Sequence, residues 1–371
     1  MSNEEYWYWI CSIENITPAV ITKLLSEFSG PQEIFEASSE ELAGRTGLPI
    51  ETARAVNASK DCDRIKAGLE SVYKKGMRFI SRESSDFPDR LRLLSDCPPA
   101  IYVKGNLPDP NLPAAGMVGA RSCSGYGREY AKKYSSALAL NKIQVISGMA
   151  LGIDSVCAKG AMDSGGRTFA VLGCGADVIY PRENIELYYE IITTGGGIIS
   201  EYPPETAPLA WHFPHRNRVI AALSDTLLVI EAGKRSGTLS TAMHALDLGK
   251  DVWALPGRVN DRMSEGCNEL ISDGAGMLTD IERVIDSLRV EEPLEFDGSS
   301  AGENISDGIG PDAQLTSDRQ KVYSLIGFEP VETDVIIRDS GLDANTVFEI
   351  LAELELEDMV VHVSGTFYAR K

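Results

Sequence analysis

Metal-binding spacing is missing from this sequence. Its seven cysteines (Cys11, Cys62, Cys97, Cys123, Cys157, Cys174 and Cys267) are scattered, no Cys-x-x-Cys occurs, and there are only four histidines. Zinc sites need ligands paired a few residues apart, so no metal is expected, and the thiols read as reduced and mostly buried in a cytoplasmic protein. Positive charge is scarce: 35 Lys and Arg face 55 Asp and Glu, a net charge of −20. That balance argues against a protein coated in cations for general polyanion binding. A local basic pocket is still allowed, because screening cuts exposed charges off beyond roughly 8–10 Å. Also absent is any apolar run near the ~20 residues of a membrane span, and MSNEEYWYWICSI lacks the basic start of a signal peptide. A soluble cytosolic protein with no membrane partner is expected.

Enzyme signatures are equally thin. Neither Gly233-Lys234 nor Gly249-Lys250 has the upstream Gly or the following Ser/Thr of a P-loop, and Gly173-Cys174-Gly175 lacks the third Gly of a dinucleotide fingerprint. There is no G-x-S-x-G elbow and no Cys–His arrangement. No catalytic residue and no cofactor is expected.

What is present suffices for a large core: 43% of the 371 residues are apolar. Residues 1–75 read as short helices, with ITPAVITKLLSEF stopping at Ser29-Gly30-Pro31 and a Thr46-Gly47-Leu48-Pro49 break before a helix near Ile50. The break resembles a degenerate helix-hairpin-helix, but Pro49 removes one amide from the turn, so a docking or dimerisation module is the plainer reading. Residues 76–290 form the main domain, in which AAGMVGA, IQVISG, TFAVLG, GGIISE, TLLVIEA, DVWALPG and AGMLTD alternate with helical stretches. Near-continuous apolar strands separated by helices predict an α/β fold with a doubly wound, mainly parallel sheet. An acidic Gly/Ser-rich linker is expected at 291–312, then a winged-helix domain at 313–371. That last domain has five basic against eleven acidic residues, and ANTVFEILAELELE has no cation. Phosphate contact dominates DNA affinity, so a protein-interaction or capping role is expected there.

Ligands of open parallel sheets bind beyond the carboxyl ends of the strands. The segments expected there hold Arg121, Arg216, Arg218, Lys234, Arg235 and Arg258, with Phe213 and His215 as flat rings and Ser124, Asp154 and Ser236 at helix starts. Cations, a ring and backbone amides together suit single-stranded nucleic acid. Each element has a plainer alternative: glycines close turns, and Arg216 or Arg218 can pair with Glu231 or Glu201 instead of a phosphate.

MVGARSCSGYG, VISGMALGIDSVCAKGA, FAVLGCGADVIYPREN, ISEYPP, HFPHRNRVIAALSDTLLVIEA, SGTLSTAMHAL, ALPG and EGCNELISDGAG, in this order, resemble the DNA-processing protein A (DprA/Smf) family over about Phe79 to Leu288. The resemblance implies a Rossmann-like domain that forms a homodimer, binds single-stranded DNA and delivers it to the RecA recombinase in natural transformation. It implies a phosphate-binding role for Arg121, a backbone cradle at Ser147 and Gly148, a base-stacking and phosphate cluster at Phe213, Arg216, Asn217 and Arg218, and a closing loop at Ser236, Gly237 and Thr238. Gly119, Ser122 and Lys234 complete the expected DNA-binding set. Two departures stand out: Lys159 replaces the family's usual His, and His215 stands where Arg or Lys is common.

Two other functions compete. SGTLSTA resembles the GGxGTxxE motif of phosphoribohydrolases, but the position of the catalytic Glu is Thr241, which cannot do carboxylate chemistry. The acidic charge also suits an assembly scaffold that does not touch DNA.

Overall fold

The computed structural model describes residues 1–14, 16–288, 317–326, 331–356, 360–364 and 367–370. The linker expected at 291–312 lies outside them. The chain forms two compact units, Met1–Glu292 and Pro293–Lys371.

The first unit is built on nine strands: β1 (Met77–Ser81), β2 (Ala100–Gly105), β3 (Ala114–Val118), β4 (Gln144–Ser147), β5 (Thr168–Leu172), β6 (Gly197–Ser200), β7 (Thr226–Val229), β8 (Asp251–Ala254) and β9 (Gly276–Met277). They are ordered β1-β2-β6-β5-β4-β3-β7-β8-β9. From β6 to β9 all neighbours are parallel, and β2 joins β6 and β1 antiparallel. Every residue of β3 to β7 is buried, which explains the uninterrupted apolar runs. The chain moves outward from β3 through β4 and β5 to β6, then returns to the other side of β3 as β7. The β3–β7 boundary is therefore the topological switch point, where open α/β sheets form their ligand crevice.

Among the described residues six helices precede the sheet: Asn3–Cys11, Pro18–Glu27, Pro31–Glu36, Ser39–Thr46, Ile50–Ala58 and Cys62–Lys74. Gly47 ends the fourth at φ +65°, a left-handed conformation that needs glycine, and Pro49 precedes the fifth. Trp7, Trp9, Ile10, Leu24 and Leu42 are buried in a core that also takes in Met77 and Phe79 of β1, Tyr102 of β2 and Leu172 of β5. Burying such side chains contributes about 1.5–3 kcal/mol each, so the helices are held on the sheet and share its compact unit.

The second unit has helices Ser317–Leu325, Thr333–Ser340 and Ala344–Leu356 with β10 (Val331–Glu332), β11 (Val360–Ser364) and β12 (Phe367–Arg370), paired in the order β10-β12-β11. Val322, Ile326, Ile336, Val347, Ile350, Leu351, Leu354 and Val360 form its core. This is the winged-helix arrangement the sequence predicts. Among the described residues no helix is long and apolar enough to cross a membrane, and no cluster of His, Cys, Asp and Glu is arranged to hold a metal ion.

Candidate nucleic-acid interface

A pocket of about 470 Å³ opens at the switch point, lined by Gly119 and Arg121 after β3, Ala150 and Asp154 after β4, and Ser236, Gly237 and Thr238 after β7. Another wall is the helix His212–Leu223, which contributes Phe213, Arg216, Asn217 and Ile220. Those four stand at i, i+3, i+4 and i+7, the spacing that puts side chains on one helical face.

At the mouth, the exposed Arg121 guanidinium lies 5.4 Å from the Phe213 ring centroid. The Tyr180 ring lies 5.6 Å from Phe213, tilted by 39°. Deeper in, Arg216 is 5% exposed. Its Nη1 donates to the carbonyl of Gly148 at 3.1 Å and to that of Val171, and its Nε donates to Asn217 Oδ1 at 3.3 Å. Asn217 Nδ2 in turn donates to the Gly237 carbonyl at 3.2 Å and Ser240 Oγ at 3.1 Å, fixing the start of the next helix.

Two carboxylates sit among these elements. Asp154 Oδ2 accepts from the Gly148 amide at 3.1 Å and the Ala150 amide at 3.3 Å, and the carboxylate also accepts from the Gly119 amide. Burial pushes its carboxyl above the ordinary range, opposed by the nearby Arg216 charge and by those amides. Glu231, 1% exposed, accepts from the Ser124 amide at 3.0 Å and from Ser124 Oγ. The amides expected to cradle a ligand after β3 and β4 are thus largely occupied by the protein's own acids. The helix Gly237–Asp247 differs: it has no acidic residue in its first turn, and Ser236 Oγ caps it by accepting from the Thr238 amide at 3.2 Å.

The structure gathers Gly119, Arg121, Phe213, Arg216, Asn217, Ser236, Gly237 and Thr238 around one pocket. Ser147 is buried behind it, with Oγ donating to the Met117 carbonyl at 2.7 Å, and Gly148 meets it through the Arg216 contact. Ser122 and Lys234 are exposed and do not line the pocket; nor do Arg235 and Arg258. The expected convergence of six cations on one rim therefore reduces to Arg121 and Arg216.

Arg218 stands apart from the residues at the pocket. Two residues beyond Arg216, it stands about 200° around the helix and points away from the pocket. Its Nη2 donates to Glu201 Oε1 at 2.6 Å, and its Nε lies 2.7 Å from Asp96 Oδ2. It lines a separate cleft of about 1550 Å³ together with Trp211, His215 and residues of the N-terminal helices. Burial there raises the Glu201 carboxyl to about 7 despite Arg218, and burial with the Arg218 charge lowers the His215 imidazole. The internal ion pair with Glu201 is the alternative the sequence had left open.

Asp154 and Tyr180 carry more of the site than the sequence signalled. Tyr180 follows the loop after β5, and only its aromatic character pointed to it. Thr241 also lines the pocket, buried, where a hydrolase of this fold would need an acid.

A doubly wound sheet with a cation, a ring and a helix terminus at its switch point, followed by a winged helix, defines a Rossmann-like protein of two units. The chain belongs to the DNA recombination-mediator protein A family, whose model matches residues 78–289, and the DprA winged helix domain matches 310–366. It is 33% identical to Protein Smf of Escherichia coli over 87% of this chain and 85% of that protein. It is 40% identical to DNA processing protein DprA of Streptococcus pneumoniae over 58% of this chain and 80% of that one. The X-ray structure of the Streptococcus pneumoniae protein superposes with a TM-score of 0.69 at 31% identity, over 78% of this chain and 99% of that chain. DNA processing protein A from Helicobacter pylori, whose structure concerns its single-stranded DNA binding mode, superposes with a TM-score of 0.52 at 30% identity, covering 58% and 97%.

Proposed function

We propose that this protein binds single-stranded DNA at the switch-point pocket, protects it, and loads the RecA recombinase on it during DNA processing and natural transformation. One observation carries the reading: Arg121, Phe213 and Arg216 meet at one pocket beside the N-terminus of the helix Gly237–Asp247, while the chain as a whole is acidic. A strand's phosphates need cations and amides, and its unstacked bases need a ring; both are within one nucleotide's reach here. Family membership and the Helicobacter pylori relative's single-stranded DNA binding mode support it. Ser122, Ser147, Gly148 and Lys234 stay in the proposed set as flanking or backing residues, with Arg218 assigned instead to holding the helix.

The proposal includes a cytosolic homodimer and divides the chain at 75, 290 and 312 into helical module, sheet domain, linker and winged helix. The cation-free helix Ala344–Leu356, with Phe348 exposed, suits contact with protein better than with phosphate. Titration of a labelled oligo-dT and of a duplex against the full chain tests the main claim: single strands bind more tightly, and equal or absent binding of both overturns it. Recombinase loading is read as faster filament assembly on coated strands. A hydrolase reading has one specific check, the release of free base from nucleoside monophosphates. Thr241 supports the expectation that none appears.

A further inference from the structure

Besides His212–Leu223, whose first turn carries Phe213 and Pro214 at the pocket, three helices begin at the carboxyl edge of the sheet around it, and a helix start offers backbone amides that attract an anion. Glu231 takes the Ser124 amide at the start of Gly125–Leu140. Asp154 takes the amides of Gly148 and Ala150 before its own helix, Ile153–Asp163. Of these three, only the helix Gly237–Asp247, of 11 residues, begins at the pocket without such a carboxylate. Among the described residues no group accepts from the Gly237 amide, and open space lies where a Gly237 side chain would stand.

A second observation points into the same space. Arg216 lines the pocket at 5% exposure, its Nε and Nη1 are bonded, and among the described residues no group accepts from its Nη2. Nη2 is not sealed from solvent, so this spare donor is free to meet an anion that enters the pocket. A phosphate between Nη2 and the Gly237 amide meets both needs.

The pocket limits what can enter whole. Val118, Ile220 and Thr241 are among the residues that line it, and its volume of about 470 Å³ suits a small molecule rather than several linked residues. The Phe213–Arg121 pair at the mouth supplies one flat platform.

We infer that this pocket is a mononucleotide site: it takes a free nucleoside 5′-monophosphate, phosphate on Gly237 and Arg216, base toward Phe213, in competition with a DNA strand. The inference rests on reading the pocket as a place for nucleic-acid phosphate and base. No bond is broken, since Thr241 offers no carboxylate. Free nucleotides then act as occupants that weaken strand capture when they are abundant.

Equilibrium dialysis of the full chain against labelled dAMP, with anisotropy of a labelled oligo-dT in parallel, tests this. The expected result is one dAMP per chain, displaced by oligo-dT, with deoxyadenosine at least tenfold weaker. The variant Gly237→Asp places a carboxylate where the other two helices have one; a side chain fits there, and an acid at a helix start favours the helix. It lowers dAMP affinity at least tenfold while the thermal melt is unchanged. Oligo-dT binding without dAMP binding up to millimolar overturns the inference and leaves the strand reading intact. Loss of both overturns the two together. Binding of dAMP that Gly237→Asp does not change places the nucleotide elsewhere and equally overturns it.

Discussion

The Arg121 guanidinium lies 5.4 Å from the centre of the Phe213 ring. One residue comes from the loop after β3 and the other from the first turn of His212–Leu223, so the pairing exists only in the folded sheet. A cation–π contact at an exposed site contributes about 0.5–1 kcal/mol. Its larger effect is to hold a charge and a stacking surface in one place.

Phe213→Ala removes the stacking surface and leaves the cations. Base–aromatic stacking contributes about 1–3 kcal/mol per base, which is about 5- to 150-fold in affinity. Single-strand affinity falls within that range while its dependence on salt is unchanged, both read from the same anisotropy titrations. A Phe213→Trp variant retains binding.

Arg218→Ala behaves in the opposite way. It leaves Glu201 buried without its partner, a loss of about 3–5 kcal/mol for a buried pair. Urea unfolding shows the loss, and the salt slope of DNA binding in the folded protein stays that of the parent. A reduced slope at full stability would return Arg218 to the DNA surface.

Glu201 also makes a pH prediction. Its folded pKa is raised to about 7 by burial, above the ordinary 4.5. The folded state therefore holds a proton that the unfolded chain has lost, and the contribution is complete below about 4.5 and disappears as pH rises through about 7. His215 titrates with the reverse sign, since its imidazole is lowered, so a single curve mixes the two. The difference in unfolding free energy between the parent and Glu201→Gln isolates the carboxyl. It moves in favour of Glu201→Gln as pH rises from 4.5 to 7; a flat difference refutes the assignment.

Lys250 closes the far end of the site helix. Its ammonium donates to the carbonyls of Ala221 at 2.9 Å, Ala222 at 2.7 Å and Ser224, at the helix end where carbonyls run out of intrahelical donors. Lys250→Met removes this donor from all three carbonyls, leaving Ala221 with the Ser224 amide, and lowers stability by about 1–3 kcal/mol. Hydrogen exchange at Ala221–Leu223 rises before exchange in β3.

The architecture was readable because its strands are buried on both faces: AAGMV, QVIS, TFAVL, GIIS and TLLV carry no polar alternation that would allow another sheet. Residue type alone singles out Phe213 and Arg216, and the fold brings both to one pocket. A list of residues after a strand has no direction, so it does not separate Arg218 from Arg216; once HFPHRNRVIAAL is a helix, the period puts them on different faces. Asp154 illustrates a different limit. Its carboxylate reaches amides after two strands that are neighbours only in the folded sheet, and no local spacing announces that. Whether a helix terminus is open to a ligand or already filled by an internal acid is a tertiary fact.

The most direct measurement is the slope of log affinity for oligo-dT against log salt, for the parent and for Arg121→Ala, with circular dichroism confirming the fold. Each phosphate neutralised on a single strand contributes about 0.7 to the slope. The account predicts a slope shallower by about that amount and weaker binding at every salt concentration. Identical slope and affinity in the folded variant would contradict it.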